Sequence, residues 1–171
     1  MFDELARLRD VLEQVYAPQV RHIPRDVLIV GAAGNAGVVN MLCDLLPQAR
    51  VTVIDRDEEA LEAIGGPPER LRIIGGAAAD LADLAHETYD FILIRHPDIV
   101  LARTAWEATL RACAAALRTG GLLIVTTELL ADAAFIDGVL GALALRLREG
   151  SPYTAAPVAL SGADRYILIY E

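Results

Sequence analysis

Hydrophobic and polar positions alternate between two rhythms along this chain. Over residues 3–17 the apolar groups Leu5, Leu8, Val11, Leu12 and Val15 recur three or four apart, which predicts a helix with one apolar face. Pro18 and Pro24 close that segment. "DVLIV" (26–30) is a short continuous apolar run, the pattern of a strand buried on both faces of a parallel sheet. The helical rhythm returns in "AGVVNMLCDLLP" up to Pro47, and the strand rhythm in "RVTVID" (50–55). The alternation continues with a helix at 56–64, a strand at 70–74, a helix at 78–87 and a strand at 89–95. A helix at 101–118, a strand at 120–127 and a helix at 129–148 complete it. The chain then changes character. "YTAAPVAL" (153–160), the turn "SGAD" (161–164) and "RYILIYE" (165–171) predict two strands joined by a tight hairpin. Five strands separated by helices require a parallel sheet covered on both faces, and the hairpin adds an antiparallel strand.

Nothing interrupts this rhythm, so residues 1–171 read as one domain, with 1–25 a helix and lead-in and 26–171 the α/β core. The chain carries 54% apolar residues, enough for a sizeable core. Its net charge of −9 argues against a nucleic-acid partner, which calls for a basic face. All 15 basic residues are arginine. Lysine chemistry, whether a Schiff base, a P-loop or a Tyr-x-x-x-Lys dyad, is therefore excluded. Cys43 and Cys113 fall in helical segments and lack metal-ligand spacing, so no metal site is expected. The N-terminus is charged throughout, unlike a signal peptide, and no apolar run approaches the ~18 residues of a membrane span. A cytoplasmic location and no membrane partner are the expectation.

The candidate chemistry begins at "VLIVGAAGNAG" (27–37). A strand runs straight into Gly31, Ala32, Ala33, Gly34, Asn35 and Gly37, and then into a helix. Bare backbone beside a helix N-terminus lets a ligand approach closely and offers N–H groups to a carboxylate or phosphate. Tight strand-to-helix packing uses the same residues. Asp55 ends the second strand, where an acid can accept hydrogen bonds from both hydroxyls of a ribose; its alternative is to cap the helix that follows. Arg56 comes next. These features define an adenosine-type site without choosing its ligand.

Three families share such a site. The loop "VGAAGNAG" resembles that of the extended short-chain dehydrogenases, whose chemistry needs the lysine this chain lacks. "VTVIDRDEEALEAI" is similar to the small NAD-binding regulatory domains of potassium transport. The class I S-adenosylmethionine-dependent methyltransferases are resembled over residues 26–171. "LRACAAALRTGGLLIVTT", a helix, then LR-x-GG, then a strand, is similar to their run into the fifth strand, and the closing hairpin fits their last two strands. That resemblance implies a three-layer, doubly wound, seven-stranded sheet of order 3-2-1-4-5-7-6 with the last strand antiparallel. It also implies S-adenosylmethionine as cofactor, held by Gly31, Ala32, Ala33, Gly34, Asn35, Asp55, Arg56, Ala77 and Ala78.

This chain departs from the family pattern at two acids. Ile29 stands where many members carry an acid two residues before the first glycine, and Ala77 where an Asp usually meets the adenine amine. The residues after the fourth strand usually face the transferred methyl. Here His96 has the pKa class of a general base and Arg95 suits an acidic acceptor. Their alternative is local pairing of Arg95 with Asp98, or capping of the next helix. The expected function is methyl transfer to a small-molecule acceptor. Alternatives are a non-catalytic or cofactor-sensing member of the fold acting through partners, and an NAD(P)-binding domain. A second copy in a homodimer, or the N-terminal helix, would supply a cap.

Overall fold

The computed structural model describes residues 4–15, 24–31, 36–65, 67, 69–85, 87–147 and 165–171. A first helix, α1 (Glu4–Val15), precedes strand β1 (Asp26–Val30). Then follow α2 (Ala36–Leu45), β2 (Arg50–Asp55), α3 (Glu58–Glu62) and β3 (Leu71–Gly75). A tight 3-10 turn at Ala78–Asp80 leads into the one-turn helix α4 (Leu81–Leu84) and β4 (Tyr89–Arg95). The long α5 (Ile99–Ala116), β5 (Leu117–Thr127), α6 (Leu130–Ala142) and β6 (Tyr166–Tyr170) complete the described chain.

The six described strands form one sheet in the order β3-β2-β1-β4-β5-β6. Five are parallel, and β6 runs antiparallel beside β5 with Thr126 opposite Ile167. This is the expected α/β class, and β6 is the expected last strand. The predicted strand 153–160 and the turn after it lie outside the described residues, so the sheet has six described strands against seven expected. β1 sits between β2 and β4, and the chain turns to opposite sides of it. The C-terminal ends of β1 and β4 therefore flank the switch point of the sheet.

Alternate residues of each strand feed two cores. Val27, Ile29, Phe91 and Ile124 pack under Leu8, Leu12, Val39 and Leu42 of α1 and α2. Leu28, Ile92, Leu123 and Tyr170 pack under Leu110, Ile136 and Leu140 of α5 and α6. Both faces are covered, which is why β1 and β4 lack alternation. Each fully buried branched side chain contributes roughly 1.5–3 kcal/mol. The opposite, N-terminal end of the sheet is tied by charge. Arg118 bridges Asp26 at 2.8 Å and Asp90 at 3.0 Å. Asp90 Oδ2 also accepts from the backbone N–H groups of Arg25 and Asp26.

Several boundaries differ from the expectation. The segment 78–87 is not one helix but a 3-10 turn and a single α turn, since the alanines after β3 are spent on closing a bend. Helix α3 starts at Glu58, because Asp57 caps it by accepting from the Ala60 N–H at 3.0 Å. Strand β5 begins at Leu117 rather than 120, and α5 is kinked at Ala102. Helix α6 ends at Ala142 rather than 148, because Arg146 exchanges both backbone hydrogen bonds with Glu171 beside β6. No helix among the described residues is long and apolar enough to cross a membrane, and no metal-ligating cluster occurs among them.

Candidate functional site

The tips of the first three strands are stitched together by backbone. The Gly31 N–H donates to Ile54 O at 3.0 Å and the Gly76 N–H to Asp55 O at 2.8 Å. These bonds carry the parallel ladder one residue past each strand. Gly31 adopts φ 94°, a conformation that a side chain would strain, which accounts for glycine at the first position of the loop.

A cleft opens over these tips. Its strand side is formed by Val30 and Gly31 at the end of β1, Ile54, Asp55 and Arg56 at the end of β2, and Gly76 to Ala79 after β3. Its other wall is Ala102, Ala105, Trp106 and Thr109, spaced three and four apart on one face of α5. The structure thus brings Gly31, Asp55, Arg56, Ala77 and Ala78 of the expected cofactor set into one cleft. Ala32, Ala33, Gly34 and Asn35 lie outside the described residues.

Asp55 is half-buried, and its Oδ1 accepts from the Asp57 N–H at 3.0 Å. Its alternative role is corrected here, because the cap of α3 is Asp57. Arg56 is exposed at the cleft edge. Ile29, in place of a family acid, is fully buried among the apolar side chains beneath α2. Asp80, three residues past Ala77, is exposed and does not line the cleft.

Arg95 and His96 end β4, the next strand across the switch point, and do not line this cleft. Arg95 is half-buried and lies opposite Thr126 of β5. His96 is exposed with φ 51°, and its backbone N–H donates to Thr126 O at 3.0 Å. That bond holds the residue at a left-handed turn off the strand. Asp98 caps α5 by accepting from the Leu101 N–H at 3.1 Å, which is the capping role expected as its alternative.

The α5 wall was not foreseen from the sequence. The available signal was the single tryptophan, Trp106, on a helix otherwise rich in alanine. Both cysteines are buried and free; burial pushes both thiols up, that of Cys113 to about 12. Neither lines the cleft.

Residues 29–125, more than half of the chain, match the model of a methyltransferase domain family. The chain therefore belongs to the methyltransferase domain family, within the class I S-adenosylmethionine-dependent methyltransferases. Of the three resemblances seen in the sequence, the one to the methyltransferases is the one its family supports. No curated protein matches the sequence. Among solved structures, TrmN from Thermus thermophilus superposes with TM-score 0.69 at 19% identity, over 96% of this chain and 48% of that one. The chain thus spans about half of the TrmN structure. The N-methyltransferase NodS from Bradyrhizobium japonicum WM9 superposes with TM-score 0.66 at 16% identity, over 97% of this chain and 91% of that one. The glycopeptide N-methyltransferase MtfA, in complex with S-adenosylmethionine, superposes with TM-score 0.57 at 18% identity, over 74% and 55% of the two chains.

Proposed function

We propose that this chain binds S-adenosylmethionine in the cleft over β1, β2 and β3 and transfers its methyl group to a small-molecule acceptor. The observation that carries the reading is Asp55: a carboxylate at the tip of β2, sharing one cleft with the side-chain-free Gly31 and the alanine turn after β3. The donor set suits a nucleoside. Asp55 offers one carboxylate to sugar hydroxyls, and apolar walls from Ile54, Ala77 and Ala78 suit a flat base.

When bound, the cofactor supplies an electrophilic methyl on a sulfonium. The chain's own part is to bind and orient. Asp55 accepts from the ribose hydroxyls, Arg56 flanks the sugar, and Ala77 and Ala78 line the base. Gly31 with Ala32, Ala33, Gly34 and Asn35 holds the methionine end, Asn35 through its side-chain amide. His96 takes a proton from the acceptor, and Arg95 orients an acidic group on it. Holding the acceptor in line with the methyl is the larger part of the rate.

Calorimetric titration with S-adenosylmethionine, S-adenosylhomocysteine and NAD tests this reading. Binding of the first two without the third is the expected result; silence from all three overturns it. A second reading, a cofactor-sensing protein without transfer activity, draws on the buried Ile29 and the Ala77 that replace two family acids. It predicts binding of S-adenosylmethionine without conversion to S-adenosylhomocysteine under any acceptor supplied.

A further inference from the structure

We propose that α5 supplies the platform for the base of the bound nucleoside through Trp106. The base is then recognised by stacking and shape rather than by a side-chain hydrogen bond to its exocyclic amine. This inference rests on the nucleoside reading of the cleft.

Four observations converge. First, Ala102, Ala105, Trp106 and Thr109 form one face of α5, and that face is the wall opposite Gly76 to Ala79. The cleft is lined by small side chains from the turn after β3 and by the side chain of Trp106, an aromatic surface on which a planar ring can pack. Second, Trp106 is half-buried and packs against the core beneath α5, so its ring is supported from behind before any ligand arrives.

Third, the polar side chains of the lining are few: Asp55, Arg56, Trp106 and Thr109. Asp55 belongs to the sugar end. Arg56 and the indole only donate hydrogen bonds, so neither can accept from an amine. Thr109 is only 7% exposed, which leaves its hydroxyl largely withdrawn from a ligand in the cleft. Fourth, the carboxylate nearest in sequence to the base side, Asp80, is exposed on the 3-10 turn and outside the lining. With Ala77 in the family's acid position, the described cleft has no carboxylate at the base end. The amine is therefore left to backbone or water, and the aromatic face does the holding.

The test uses the whole chain and the single tryptophan. S-adenosylhomocysteine is titrated by calorimetry on the native chain and on Trp106→Phe and Trp106→Ala, and in parallel by tryptophan fluorescence on the native chain, where Trp106 is the one emitter. The deaminated analogue S-inosylhomocysteine is titrated on the native chain. The expected results are a fluorescence change with the calorimetric Kd and Trp106→Phe within about threefold of native. Trp106→Ala is expected to be weakened about tenfold or more, as for loss of a base–aromatic stack. S-inosylhomocysteine is expected within about threefold of S-adenosylhomocysteine. Calorimetric binding with silent fluorescence, full affinity in Trp106→Ala, or a loss above about tenfold with the inosyl analogue overturns the proposal while leaving the nucleoside reading intact. No calorimetric binding of S-adenosylhomocysteine to the native chain overturns both.

Discussion

Asp55 accepts a hydrogen bond from the backbone N–H of Asp57 at 3.0 Å, while Asp57 itself caps helix α3 through Ala60. The two acids divide the work at the end of β2. Asp57 satisfies the helix, and in doing so presents its own N–H to orient the Asp55 carboxylate at the cleft.

That division predicts a crossover between two variants. Asp55→Ala should weaken S-adenosylhomocysteine by about tenfold to a hundredfold, the worth of hydrogen bonds to a charged group, with little change in Tm. Asp57→Ala should lower stability by about 1 kcal/mol through loss of the cap and cost less affinity. Calorimetry and thermal melts on the same preparations read both effects. Unchanged affinity in Asp55→Ala means that its carboxylate does not hold the ribose.

The adjacent glycines before the apolar run of β5 are required for different reasons. Gly120 adopts φ 78° with open space around it. A Cβ on Gly121 would stand 2.9 Å from the backbone carbonyls of Arg118 and Asp90, which cannot rotate away. Gly120→Ala should therefore cost about 1 kcal/mol, with Gly120→Asn milder. Gly121→Ala should cost more, about 2–3 kcal/mol, by forcing β5 off β4. Urea unfolding of the three variants ranks them, and equal costs at both positions would refute the distinction.

Arg118 is a hub at the far end of the sheet. Its guanidinium bridges Asp26 and Asp90, which are 7% and 5% exposed, and donates to Thr88 Oγ1 at 2.9 Å. Those carboxylates in turn raise the Arg118 pKa, with the Asp90 hydrogen bond the larger cause. Arg118→Ala leaves two carboxylates close together with fewer partners. The Arg118 side chain is 40% exposed, so the cost falls below that of a fully buried pair, at about 1–3 kcal/mol. Asp90 retains its two backbone donors. Chemical unfolding at pH 7 measures the loss.

Alkaline pH should weaken the fold by a defined route. Burial raises the Cys113 thiol from 9.0 to about 12, and Cys43, Tyr89 and Tyr170 shift in the same direction, with burial the largest cause in each. For Tyr170 the neighbouring Asp137 adds to the rise. A raised native pKa means that the folded chain binds protons more tightly than the unfolded one. The contribution is fully present below the unfolded value and is lost as pH rises through the native one. Stability should fall above about pH 9, by up to ~1.4 kcal/mol per pH unit for each group that ionises only on unfolding. Cys113→Ala should flatten part of that slope between pH 9 and pH 12. In native chains Cys113 should resist alkylation at pH 8 and react once urea unfolds the protein.

Much of this organisation was legible in the residues because it rests on local patterns. "DVLIV" and "YDFILIR" have no alternation because both faces of β1 and β4 are buried, and that alone implies helices on either side. Gly31 and Asp55 were legible because their roles follow from backbone freedom and from a position at the end of a strand. The segment 78–87 misled because Leu81 and Leu84 keep helical spacing even though only one turn of α helix forms. The end of α6 could not be read, because what stops it is pairing of Arg146 with Glu171, 25 residues away in sequence.

Periodicity along the chain thus determined the layering, the parallel sheet and the acid at the tip of β2, since these depend on spacing within one element. Packing alone decided which face of α5 looks into the cleft. Helical spacing marks a stripe but not what it meets, and Trp106 lines the cleft only because the helix is laid against the turn after β3. Packing also decided that Asp57 and not Asp55 caps the helix. Two acids of equal capping propensity stand two residues apart, and only the three-dimensional path of the backbone chooses between them.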